Sequence, residues 1–168
     1  MTRALRAILL AVLFLGSGLL TFQIYYWVAK SGSEDTQMLR QLLTGLPFGA
    51  VCSLRFLRDR KWIVPAMLLD CVAWIVAFRL GLALSGNVNT YVGMAVAGAV
   101  GASLVALATG QRRAIGGATL TGAFAGMLFG LALTHPQHEI LVLAFCFPLW
   151  QVAVGLWIWF SCTRPTAA

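Results

Sequence analysis

Residues 62–84 read WIVPAMLLDCVAWIVAFRLGLAL, an apolar run broken only by the charges of Asp70 and Arg79. A helix needs about 20 such residues to cross the ~30 Å hydrocarbon layer of a bilayer. The run therefore reads as a membrane-spanning helix, and the rest of the chain is read outward from it.

Comparable runs lie at 5–28, 41–57, 90–110, 114–134 and 139–161, joined by short polar links. Of the 168 residues, 60% are hydrophobic and 10% charged, and the mean hydropathy is +0.86, so little remains for a soluble domain. The expected fold is all-α: a polytopic membrane helix bundle of six transmembrane helices, forming a single transmembrane domain over residues 1–168. Arg3 and Arg6 precede the first run as they would in a secretory signal. That run continues from Ala7 to Ala29 without a small-residue cleavage motif, and it reads as a retained helix or signal anchor.

A net charge of +7 would suit nucleic acid if the basic residues were clustered, but they sit in the links. Under the six-span count Arg3, Arg6, Arg55, Arg58, Arg60, Lys61, Arg112, Arg113 and Arg164 share one side, Lys30 and Arg40 take the other, and Arg79 lies within a span. The positive-inside rule then predicts cytoplasmic N- and C-termini in a cell (inner) membrane, with lipid rather than nucleic acid as the partner. The cluster Arg55, Arg58, Arg60 and Lys61 also offers a surface for anionic lipid heads or an acidic partner. Tyr25, Tyr26 and Trp27, then Trp62, then Trp157 and Trp159 fall near the ends of runs, where amphipathic rings favour the headgroup boundary.

The segment 41–57 is the shortest run and contains Gly45, Pro47 and Gly49, which suggests a tilted, kinked or partly re-entrant helix. A shift of 77 residues lays the first three runs on the last three, with Thr44-Gly45 meeting Thr121-Gly122, Gly49 meeting Gly126 and Gly16 meeting Gly93. Such a match would fit two inverted three-helix halves, as in many secondary transporters. With 17 glycines in the chain, chance supplies similar coincidences.

Asp70 is the most informative single residue, since a carboxylate in oil costs several kcal/mol unless protonated, paired or hydrated. Arg79 falls on the opposite face of a regular helix, so a partner for Asp70 must come from another helix, with Arg55 or a Ser or Thr hydroxyl as candidates. Its role is either proton or cation coupling or a structural interhelical bond. Arg79 itself reads as a snorkelling side chain. With Thr44, Pro47 and Thr121 from the interrupted second and fifth helices, Asp70 makes up the candidate substrate- or ion-binding set.

Gly122, Gly126 and Gly130 recur at four-residue spacing along one face, and Gly98 and Gly101 of the fourth segment can oppose them. Small residues let helix backbones approach closely, within the chain or in a homo-oligomer. His135, His138 and Glu139 gather at one link but make a thin metal set, and no metal or other cofactor is expected. The four cysteines read as buried thiols, and Asn89 or Thr90 reads as a cap of the fourth helix. Ser103 has no histidine at matching depth, and no catalytic constellation is found. Two functional expectations follow: a small transporter or channel for a small solute or ion with a site near Asp70, or a non-catalytic accessory subunit of a membrane complex, acting through its lateral faces.

Overall fold

The computed structural model describes residues 2–30, 37–57, 59–135 and 139–163. They form six helices, α1 (Arg3–Lys30), α2 (Gln37–Phe56), α3 (Ile63–Asn87), α4 (Thr90–Ala108), α5 (Ile115–Thr134) and α6 (Glu139–Thr163), with single 3-10 turns at Arg60–Trp62 and Arg112–Ala114. Five helices are long and apolar enough to cross a membrane. In α2 the apolar part is Leu42–Phe56, yet the helix is continuous from Gln37 to Phe56, with Pro47 inside it. Its full 20 residues measure about 30 Å at the helical rise.

The distribution of side chains is that of a protein whose solvent is oil. Leu13, Leu20, Val64, Leu68, Val72, Phe124 and Phe145 are exposed, while Ser17, Thr21, Thr44, Ser53, Asp70 and Gln151 are buried. Water would penalise that exposed apolar surface, whereas lipid accepts it and penalises polar groups instead. The chain is a multi-pass membrane protein built as an all-α bundle.

The helices follow one another around a closed ring, α1 to α6, and α6 packs back on α1. Neighbours run antiparallel. Phe14 meets Phe48 and Phe56, Gly49 meets Asp70, Ala77 meets Gly101, Gly98 meets Gly122 and Phe129 meets Phe147. The N-terminus of α1 and the C-terminus of α6 share one end of the bundle, where Arg3 Nη2 donates to Thr163 Oγ1 at 3.1 Å. We call this the basic end. The ring keeps one rotational sense throughout, so its two three-helix halves succeed each other around the axis. A two-fold axis in the membrane plane would reverse the sense of the second half.

The closest joint is α4 against α5. A Cβ on Gly98 would run into the Gly122 carbonyl, and one on Gly126 into the Met94 carbonyl. Hydroxyls brace the same joint, Ser103 Oγ lying 2.7 Å from Thr119 Oγ1 and Tyr91 OH 3.0 Å from Thr134 Oγ1. Gly130 packs on Tyr91, while Gly101 faces Ala77 and Trp150 rather than α5. The glycine face of α5 is thus occupied within the chain.

The ring closes through a polar clasp. Ser17 Oγ of α1 donates to Gln151 Oε1 of α6, and Gln151 Nε2 donates to Thr21 Oγ1 at 2.9 Å. Hydrogen bonds of this kind join helices where water does not compete for the same groups.

Candidate functional site around Asp70

The stripe Gly45, Gly49 and Ser53 repeats every four residues on α2 and faces α3. Without side chains on its first two members, the α3 backbone comes close. A Cβ on Gly45 would lie 2.8 Å from Cys71 Cα, and one on Gly49 would lie 2.9 Å from Asp70 Cβ and 3.2 Å from its Oδ2. Asp70 stands about 10 Å along α3 from the basic end and is 3% exposed. Neither of its carboxylate oxygens has a hydrogen-bond partner among the described residues, and the same holds for the buried Ser53 hydroxyl.

Asp70 borders a cavity of about 20 Å³, room for a single water. Thr44, Gly45 and Phe48 of α2, Trp74 of α3, Val105 of α4 and Trp150 of α6 help to line it. Trp74, Gly101 and Trp150 are shared with a second cavity of about 40 Å³, which continues among Phe78, Met94 and Phe129 away from the basic end. Toward the basic end the interior is filled. Phe48 packs edge-on to Trp150 at 5.3 Å between centroids, Phe14 lies 5.7 Å from Phe48, and Phe56 stacks on Phe14 at 6.5 Å. Val154, Ile158 and Trp159 complete this buried plug.

Of the residues singled out in the sequence, the fold brings Thr44 and Asp70 to one cavity. Pro47 is buried inside α2 and lines neither cavity, and Thr121 is half-buried on α5, also away from both. Arg55 is at the basic end, not beside Asp70. Antiparallel packing sets Gly49 opposite Asp70, and Arg55 is a further ~9 Å along α2. Arg79 is exposed on α3.

The helices carrying internal prolines are α2 and α6, at Pro47 and Pro148, whereas α5 is unbroken. Proline removes an N–H and so deprives the carbonyl four residues earlier, that of Leu43 or Ala144, of its partner. Glycine retains its N–H, and in α5 it serves close packing. Gln151, Ser17 and Thr21 were not singled out by composition or spacing. The signal available was Gln151 itself, an amide inside the apolar run of α6.

No three potential metal ligands gather among the described residues. His135 Nδ1 lies 3.0 Å from Thr134 Oγ1. His138 is outside the described residues, and of Glu139 only the place at the start of α6 is described. Ser103 Oγ donates to the Ala99 carbonyl at 2.7 Å, and its neighbour Thr119 is about 24 Å along α5 from His135. Chemically, the site offers the Asp70 carboxyl, with Thr44, Trp74 and Trp150 on the same lining, beside a space the size of a water molecule.

No protein-family model, curated protein or solved structure matches the chain. Its class is defined by the fold alone, that of a small multi-pass helical membrane protein.

Proposed function

We propose that the chain is a small transporter or channel for a small solute or ion in an inner membrane, with both termini cytoplasmic, that it passes protons without a second solute, and that Asp70 is its proton-binding group. The observation that carries this reading is a contrast between two buried polar side chains. Gln151 has its amide oxygen and nitrogen both bonded across the α1–α6 joint, as a structural tie requires. Asp70 is equally buried and ties nothing. A buried unpartnered polar group costs about 1–3 kcal/mol, and a charged one more. Such a cost is retained where the group has work to do, and an intramembrane carboxyl is suited to carrying a proton.

The small cavity beside Asp70 and the aromatic plug toward the basic end correspond to an occluded conformation. Access would come from movement of α2 and α6, the two helices with an internal proline at the depth of the site. The orientation is supported by the nine basic residues against two in the links.

An accessory-subunit reading is favoured by a different observation, the apolar lining of both cavities. One experiment separates them. Wild type and Asp70→Asn are reconstituted in vesicles carrying a pH gradient, and dissipation of the gradient is followed together with assembly state. The transporter reading expects the wild type to dissipate the gradient faster than empty vesicles and Asp70→Asn, equally monodisperse, to match the empty ones. Equal flux from the two proteins rejects it, and altered assembly with unaltered flux favours the accessory subunit.

A further inference from the structure

The basic end holds a second, larger concavity, an open cup of about 740 Å³. It is separated from the Asp70 cavity by the plug of Phe14, Phe48 and Phe56. Three arginines line it, Arg55 from the end of α2 and Arg112 and Arg113 from the link between α4 and α5. Gln111, Ser161 and Thr163 also line it, Gln111 and Thr163 with their polar groups already bonded within the protein, and no carboxylate is among the lining residues.

The chain builds this cup deliberately. Helix α4 ends with Gly110 at φ +73°, where the Gly110 N–H donates to the Leu107 carbonyl at 2.9 Å and the Gln111 N–H to the Ala106 carbonyl at 2.7 Å. This glycine-reversed helix end turns the chain sharply and carries Arg112 and Arg113 back over the mouth of the ring. Gln111 then fastens the link to α6, its Oε1 accepting from Cys162 Sγ at 2.9 Å.

Among the described residues the three arginines have no ion-pair partner, and the basic-end pair Lys61–Asp59, at 3.1 Å, leaves them without an acid. Topology explains why basic residues are on this side, since the positive-inside bias counts charges in links wherever the side chains point. It does not explain why an arginine from the end of α2 and two from the α4–α5 link line one concavity. Three like charges held together repel unless an anion joins them, and guanidinium forks match phosphate oxygens bidentately. The volume suits a phosphorylated small molecule or headgroup.

We propose that this cup binds a phosphate-bearing anion through Arg55, Arg112 and Arg113. The site is independent of the role of Asp70, since it lies across the plug and uses none of the same residues.

The test uses the full chain in phosphatidylcholine nanodiscs, with two probes. One is inorganic pyrophosphate in the buffer, and the other is a set of discs containing phosphatidylglycerol. Thermal unfolding and direct titration report binding. The proposal expects at least one probe to raise Tm in wild type, with an effect that falls as salt rises. Pyrophosphate binding in neutral discs identifies a soluble phosphate as the source, and a response confined to phosphatidylglycerol identifies a lipid headgroup. Replacing Arg55, Arg112 and Arg113 together by Gln should weaken binding by about tenfold or more, while Arg60→Gln with Lys61→Gln, on the same side but outside the cup, should leave it unchanged. The triple Arg→Lys protein keeps the topology charges and loses the forks, so it should also bind several-fold more weakly. No response to either probe overturns the proposal. So does an equal loss in the Arg60/Lys61 control, or wild-type binding in the triple Lys protein.

Discussion

Gly49 lies directly against the Asp70 side chain, so close that a Cβ at position 49 would stand 2.9 Å from Asp70 Cβ and 3.2 Å from Oδ2. The carboxyl is therefore held by a bare backbone and not by a hydrogen-bonding side chain. Gly49→Val should push α2 and α3 apart and destabilise the protein by about 1–3 kcal/mol, the usual cost of overpacking. Combined with Asp70→Gly, which removes both the Cβ and the carboxyl that a side chain at position 49 would meet, the penalty should be smaller than the sum of the two single changes. Thermal unfolding of the four proteins in one mild detergent measures this coupling, and strict additivity would show that the two residues do not share the space.

Gln151 should behave as a structural tie. Gln151→Leu leaves the Ser17 and Thr21 hydroxyls buried without their partner across the ring closure and should cost about 1–2 kcal/mol. Adding Ser17→Ala and Thr21→Val removes the Thr21 hydroxyl, left without its cross-helix partner, and the Ser17 hydroxyl, which keeps only the Phe14 carbonyl of its own helix at 2.9 Å, and should restore most of the loss. Denaturation in detergent reports the difference, and a triple variant no better than the single one would mean that packing rather than hydrogen bonding holds α1 to α6.

The α4–α5 joint should tolerate no side chain at its centre. Gly122→Leu drives atoms into the Gly98 carbonyl and Ala102 and should abolish monodisperse protein on size exclusion. Gly116, on the same helix with open space where its Cβ would be, is the internal control. Its change to Ala should be neutral or stabilise by about 0.5–1 kcal/mol through helix propensity.

These positions also show how far the sequence alone could reach. Apolar run length is enough to predict an all-helical membrane bundle, because it follows from the cost of placing unpaired peptide groups in oil. Local rules also worked where a side chain bonds its own helix. Asn89 caps α4, its Oδ1 accepting from the Tyr91 and Val92 N–H groups at 2.9 and 3.3 Å. Facing relations were harder to read. The spacing of Gly122 and Gly126 predicts a close partner without naming it, and of the two glycines expected to oppose them only Gly98 does so. The environment of Asp70 was read as a search for a hydrogen-bonding neighbour, whereas the neighbour is Gly49. The Gln151 clasp and the arginine cup join segments distant in sequence, and periodicity within one helix carries no record of such meetings.

Infrared difference spectroscopy of the protein in lipid reads most directly the proposed exchange of a proton by Asp70 inside the membrane. As pH is stepped through the range in which the fold persists, the wild type should show, beside the bands of the other carboxyls that both proteins share, a further C=O band at the higher frequency of a carboxyl without a hydrogen-bond partner, and this band should be missing in Asp70→Asn. A wild-type spectrum with no such band, or a band that survives the substitution, would contradict the account.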